Sequence, residues 1–178
     1  SDARMNGCEL PVVINSGSGN QGLTVSVPLI IYAEREHLDK EKLYRALVIS
    51  NLTAIHLKTE IGRLSAFCGA VSAGAACGAG LAYLKDASEE VMNHTIVNAL
   101  AITSGIICDG AKASCAAKIA VSVEAGILGY DMYMNGQQFY GGDGIISKGI
   151  ENTIHNIGVL GSQGMASTDQ EIIKIMCE

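Results

Sequence analysis

Between Ala66 and Leu84 the chain carries no charged residue, and most of what it carries is Ala, Gly, Ser and Cys rather than Leu, Ile or Phe. A segment of that length could span a bilayer. Small side chains gain little from lipid, however, and they suit a helix enclosed on all sides by other helices at close range. The stretch therefore predicts a buried helix in a soluble protein and requires neighbours able to approach its backbone. Twenty-one glycines among 178 residues, with aromatics at only 4%, extend the same reading to the whole core, which should consist of small and aliphatic side chains. With 48% hydrophobic and 17% charged residues, the composition excludes a disordered chain.

Charge narrows the partners. Twelve basic residues face eighteen acidic ones, a formal net charge of −6, and the basic residues are scattered. A nucleic-acid surface needs clustered Lys and Arg to displace counterions, so neither nucleic acid nor an anionic membrane is an expected partner. The chain opens Ser1-Asp2-Ala3-Arg4-Met5 without a secretory leader. Six cysteines in a chain with a large aliphatic core then read as reduced thiols of a cytoplasmic protein rather than as three disulfides.

Helical spacing dominates the rest of the sequence. An apolar segment from Leu23 to about Ala33 predicts a helix in spite of Pro28, and Asp39 caps a long one running through Leu43, Ala46, Leu47, Ser50, Ala54 and Leu57 to near Gly62. A third is expected from Leu64 to Leu84. Ser88, followed by Glu89 and Glu90, opens a fourth that turns Val91, Ile96, Val97, Leu100 and Ile107 inward and closes at Cys108. A fifth runs from Ser114 to about Tyr130, a glycine-rich loop covers Asn135 to Asp143, and two shorter helices follow, Lys148 to Leu160 and one capped by Thr168 or Asp169 and ending near Met176. The expected fold is mostly α, a single compact helical domain over 1–178 of six or seven helices with glycine-rich loops. Only the first fifteen residues leave room for β structure.

Three cysteines carry the clearest chemical signal. Cys108 and Cys115 flank a short loop containing Gly110, so both sulfurs face a common point, and Cys68 on a small-residue helix can approach it. Glycine lets backbone N–H groups reach anionic sulfur, and soft thiolates select iron–sulfur clusters or zinc. From spacing alone, three packed core thiols are an equal reading. Cys77, nine residues after Cys68, falls on the opposite helix face, while Cys8 and Cys177 sit near the termini. The loop Ser16 to Gly22, feeding a helix N-terminus, offers free N–H donors to a carboxylate or phosphate, or is a plain turn. The four histidines show no metal-type pairing, and His37 and His94 are expected on exposed helix surfaces.

Taken in order, Asp2-Ala3-Arg4-Met5, Leu10 to Gly22, Ile61 to Gly69, Ile107 to Cys115 and Gly161 to Asp169 resemble the L-cysteine desulfidase family and its serine dehydratase alpha-chain-like relatives. The resemblance spreads over essentially the whole chain. It implies an oxygen-sensitive lyase with a [4Fe-4S] cluster and no pyridoxal phosphate. Such an enzyme would convert L-cysteine to pyruvate, ammonia and sulfide, or L-serine to pyruvate and ammonia. It places the cluster ligands on Cys68, Cys108 and Cys115 and leaves one iron open for Lewis-acid chemistry. It also carries substrate contacts to Asn15, Ser16, Ser18 and Asn20.

Members of that family are more than twice this long. Their proposed basic cysteine lies in a Cys-Thr-Glu-Pro-like motif that this sequence lacks. The resemblance thus implies a C-terminal, cluster-binding portion whose general base lies outside residues 1–178 and which would be inactive alone. Its implied partners are a small amino acid, the N-terminal half of the same protein and, from the apolar surplus, a second copy in a homo-oligomer. The contrasting expectation is a non-catalytic helical binding or assembly module with structural or zinc-binding cysteines.

Overall fold

The uncharged stretch becomes the innermost helix. In the computed structural model, which describes residues 1–178, the order is α1 (Asp2–Met5), α2 (Gly19–Arg35), α3 (Lys40–Ile61), α4 (Gly69–Leu84), α5 (Glu89–Thr103), α6 (Ser114–Met134), α7 (Ile150–Val159), a π-helical turn (Leu160–Gly164) and α8 (Ala166–Cys177). The mostly α expectation holds, with eight α-helices in place of six or seven. There is no sheet, only two isolated bridges, Asn15 with Ser18 and Phe67 with Ile107.

Helix α4 is buried at every position except Gly69 and Tyr83, and α2, α3, α5 and α6 pack around it. No helix is long and apolar enough to cross a membrane. Glycine sets the closest approach. A Cβ at Gly78 would lie 2.8 Å from Gly126 Cα, and one at Gly74 would lie 2.3 Å from the Ser122 carbonyl oxygen. Helices α4 and α6 therefore touch backbone to backbone, and even a methyl group has no room between them. Around this contact the larger core residues are few: Phe67, Leu57, Ile61, Leu100 and Ile157 close one end, and Leu29, Leu81 and Leu84 the other.

Several expected boundaries move, each for a local reason. Helix α2 starts at Gly19 rather than Leu23, because Ser18 is extended (φ −135°, ψ 130°) and its Oγ accepts the Gln21 N–H at 3.4 Å. Pro28 then lies well inside a helix, where its missing N–H leaves one turn without its bond. Helix α4 starts at Gly69 rather than Leu64; Cys68 is its N-cap, and residues 62–68 are irregular. Helix α5 stops at Thr103 rather than Cys108, and Ile107 stays 41% exposed instead of turning inward. Tertiary pairing overrides the helical pattern here: Cys68 N–H donates to Ile106 O at 3.2 Å and Cys108 N–H donates to Ala66 O at 2.6 Å. Helix α6 continues past Tyr130 to Met134, and the last helix begins at Ala166, ahead of the expected cap. His37 is exposed as expected, but His94 is half-buried and stacks on Tyr133 with ring centroids 4.5 Å apart.

The α4–α6 contact makes a direct stability prediction. Gly74→Val should lower the free energy of unfolding by about 1–3 kcal/mol through overpacking. Gly105→Ala, whose Cβ would meet nothing within 4 Å, should stay within about 0.5 kcal/mol of wild type. Urea midpoints measured on both variants check the difference.

Candidate functional site

Two extended pieces, 66–68 and 106–108, pair side by side because of the hydrogen bonds given above, and this puts Cys68 next to Cys108. The π turn anchors the first piece: Ser65 Oγ donates to Gly161 O at 2.6 Å and accepts the Phe67 N–H at 3.0 Å. Phe67, fully buried, adds about 1.5–3 kcal/mol of apolar burial to the same anchor. The second piece is tied to α6. Lys118 Nζ donates to Ile107 O at 2.9 Å and forms an ion pair with Asp109, which Lys112 also meets at 2.6 Å. Those two lysines, Lys112 first, hold the Asp109 carboxyl down to about 2. Gly110 at φ +95° bends the chain between the two cysteines, in a conformation that a side chain disfavours. Cys115, in the first turn of α6, then lies against the loop with its thiol 3.5 Å from Gly110 O.

Cys68, Cys108 and Cys115 consequently line one cavity of about 390 Å³. The glycine-rich loop lines it too, through Ser18, Gly19 and Asn20, so the structure brings together the two features that the sequence singled out separately. Asn15 and Ser16 take other places. Asn15 is buried, donating from Nδ2 to Asn51 O at 3.2 Å and Asn51 Oδ1 at 3.0 Å, and Ser16 Oγ donates to Asn15 Oδ1 at 2.8 Å. These two side chains shape the turn; Ser16 faces a neighbouring depression with Ile55, Lys58 and Arg63. Asn20 Oδ1 accepts from Arg4 Nη1 at 2.9 Å. Gly22 lets the N-terminal segment cross the start of α2, since a Cβ there would overlap the Val13 carbonyl.

The remaining cysteines lie elsewhere. Cys77 is fully buried, and burial pushes its thiol up to about 12. Cys8 and Cys177 are exposed, and all six thiols are free. Within the cavity, Cys68 and Cys108 share a hydrogen bond. It lowers Cys108 from the ordinary thiol value and, together with burial, raises Cys68.

Sequence reasoning missed several cavity residues. Lys58 is only 5% exposed, and burial lowers its ammonium from the ordinary lysine value while the neighbouring Cys108 and Cys68 oppose that shift. Gln21 is 6% exposed with Oε1 unpartnered. Arg63 and Lys118 complete the wall, and no carboxylate or imidazole lines the cavity. A signal for Lys58 existed: it follows Ala46, Ser50 and Ala54 at four-residue intervals on the inward stripe of α3.

The donor set fits an iron–sulfur cluster. Three thiols of one loop-and-cap system face one cavity, with cations and helix N-terminal N–H groups beside them. No three His, Cys, Asp or Glu side chains are gathered as around a single metal ion. Cluster thiolates bind different irons and need not converge in that way.

The family model described as serine dehydratase alpha chain matches residues 1–174. A UPF0597 protein of Desulfitobacterium hafniense is 68% identical over 176 residues, covering 99% of this chain and 41% of its own length. UPF0597 proteins of Treponema denticola and Finegoldia magna are 56% and 54% identical, with 41% and 43% of their lengths covered. The chain thus spans well under half of the curated relatives it matches. No solved structure matches it.

Thiol chemistry checks the site directly. Iodoacetamide at pH 7 should modify Cys108 well before Cys77, because a thiol below its ordinary value is partly thiolate while the raised one is not. Mass mapping should show the Cys108 rate falling as pH drops below its lowered value, while Cys77 stays unmodified until unfolding.

Proposed function

The chain belongs to the serine dehydratase alpha chain family, and from that premise we propose that it is the cluster-binding part of an iron–sulfur lyase. Its reaction would remove the β substituent of a small amino acid: L-cysteine to pyruvate, ammonia and sulfide, or L-serine to pyruvate and ammonia. The observation that carries the reading is the single cavity shared by Cys68, Cys108, Cys115 and the Ser18–Asn20 loop. Cys68, Cys108 and Cys115 would hold a [4Fe-4S] cluster, which when bound supplies Lewis-acid polarisation at an iron without a protein ligand.

The chain's own residues prepare that site. Lys118 and Lys112, by pairing with Asp109, fix the loop on which Cys108 and Gly110 sit, so the sulfurs are held before anything binds. Ser18 Oγ and Asn20, at the start of α2, give hydrogen-bonding groups to a substrate beside those sulfurs. β-Elimination also requires a base to take the α proton. In this reading that base comes from outside residues 1–178.

Exposed apolar residues support a covering partner. Ile14 and Leu64, 66% and 95% exposed, stand at the cavity, and Leu10 and Val13 are exposed just before it. In this reading the remainder of the longer family protein packs on that rim, supplying the base and excluding water.

Anaerobic reconstitution with iron and sulfide tests the proposal. About four irons per chain, with broad visible absorbance, are expected on the family expectation, and Cys108→Ala should lose most of them. The full-length gene product should release pyruvate from L-cysteine or L-serine. Full iron retention in Cys108→Ala, or tight stoichiometric zinc in protein purified without oxygen, would falsify the cluster assignment.

A further inference from the structure

Lys58 is a cation of the cavity to which the lyase reading above gives no role. Its side chain reaches the cavity from the inward stripe of α3, is only 5% exposed, and makes neither a hydrogen bond nor an ion pair. Its ammonium opens onto the cavity with the stem buried behind it, an arrangement that presents a cation to whatever anion enters. The surroundings agree. The charged side chains lining the cavity are Arg4, Lys58, Arg63 and Lys118, all cationic, in a chain of net charge −6. Arg4 is turned to Asn20 and Lys118 to Asp109, whereas Lys58 makes no hydrogen bond or ion pair. Helices α2 and α4 also begin at this cavity, adding two positive dipole ends.

A second orphan group stands beside it. Gln21, one turn into α2, is more than nine-tenths buried and lines the cavity, yet its Oε1 accepts nothing. Its amide lies over the start of α4, 2.5 Å from where a Cβ of Gly69 would be, so glycine at 69 makes room for it. One unpaired cation and one unpaired acceptor in the same cavity are complementary to a ligand that carries a carboxylate and an ammonium.

We propose that Lys58 binds the carboxylate of the substrate and that Gln21 Oε1 accepts a hydrogen bond from its ammonium, so that these two residues select a free α-amino acid. The assignment rests on the lyase reading above and adds to it the two specificity-determining side chains. It places the amino acid between the loop of α2 and the three sulfurs, and it requires both charged groups of the ligand. An amine lacking the carboxylate, or an acid lacking the amine, forfeits one of the two contacts.

Binding of L-serine to the full-length gene product, by calorimetry and by ligand-induced thermal shift, tests this with and without reconstituted cluster. Lys58→Met should weaken L-serine by roughly 10- to 150-fold, the worth of a hydrogen bond to a charged group. Lys58→Arg should recover most of that loss. The melting temperature of unliganded Lys58→Met should be unchanged or higher, which a structural lysine would not allow. Ethanolamine, which lacks the carboxylate, should bind Lys58→Met and wild type equally. Gln21→Leu should weaken L-serine but leave 3-hydroxypropionate unaffected.

L-serine binding to Lys58→Met at wild-type strength overturns the proposal, as does the absence of binding to wild type in either form. Loss of iron from Lys58→Met with unchanged L-serine affinity per loaded molecule also overturns it, since Lys58 would then serve the cluster. Lyase activity is read separately, as pyruvate formed by the wild type. An inactive wild type that binds L-serine through Lys58 would sink the lyase reading while keeping the amino-acid site.

Discussion

Everything in this protein is arranged around the contact of α4 with α6, where Gly74 and Gly78 face Ser122 and Gly126 with no side chain between the backbones. Such proximity replaces large-residue interdigitation with main-chain van der Waals contact, which depends on geometry more than on area. It also fixes position. Two helices that touch through their backbones cannot slide without a clash, so the N-terminus of α6 is held relative to the N-terminus of α4. Cys115 lies in the first turn of one and Cys68 caps the other. The small-residue helix is therefore the scaffold of the sulfur site as well as the core of the fold.

From that scaffold the third sulfur follows. Cys108 lies between α5 and α6 and could swing freely if only the helices were fixed. Its placement comes from the short antiparallel pairing with 66–68 and from the Lys118 bonds to Ile107 and Asp109. Hydrogen bonds of this kind contribute about 1 kcal/mol each, but several acting on one short loop leave it little freedom. The π turn serves the opposite side, where Gly161 fits against Ile61 and Phe67 because a Cβ there would lie 2.9 Å from Ile61 Cγ2. π-Helical turns are rare and occur frequently at functional sites. Here the turn accepts Ser65 and so fixes the approach to Cys68.

Periodicity made the helices legible, and it failed where pairing between distant segments took over. Asp39, Ser88 and the run from Leu43 to Leu57 specify their helices locally, through caps and an inward stripe. Ala66 to Cys68 and Ile106 to Cys108 look like helix ends in one dimension, since nothing local reports that each supplies the other's hydrogen bonds. The cysteines were legible as a group because a glycine-containing loop joins two of them. Asn15 and Ser16 share their loop with Ser18 and Asn20, but alternate side chains of a tight turn point different ways, and their bonds to Asn51 and to each other became clear only in three dimensions. Lys58 was missed because the stripe of α3 alone does not tell a snorkelling lysine from a buried one.

The electrostatics of the cavity tie these strands together. A chain with an acidic excess gathers four cations and no carboxylate in the lining around three thiols, so the charged side chains there are opposite in sign to the net charge of the whole. Positive potential lowers the cost of thiolate formation and of anion entry, and the helix N-termini add to it without adding groups that must be neutralised elsewhere. Of the four cations, Lys118 and Arg4 are already engaged, which makes them structural supports for the loops bearing Cys108 and Asn20. Arg63 is exposed at the rim, where solvent screens it. Lys58 differs from the other three in having a buried stem and no hydrogen bond or ion pair, which leaves its ammonium the cation most available to a ligand entering beside the sulfurs.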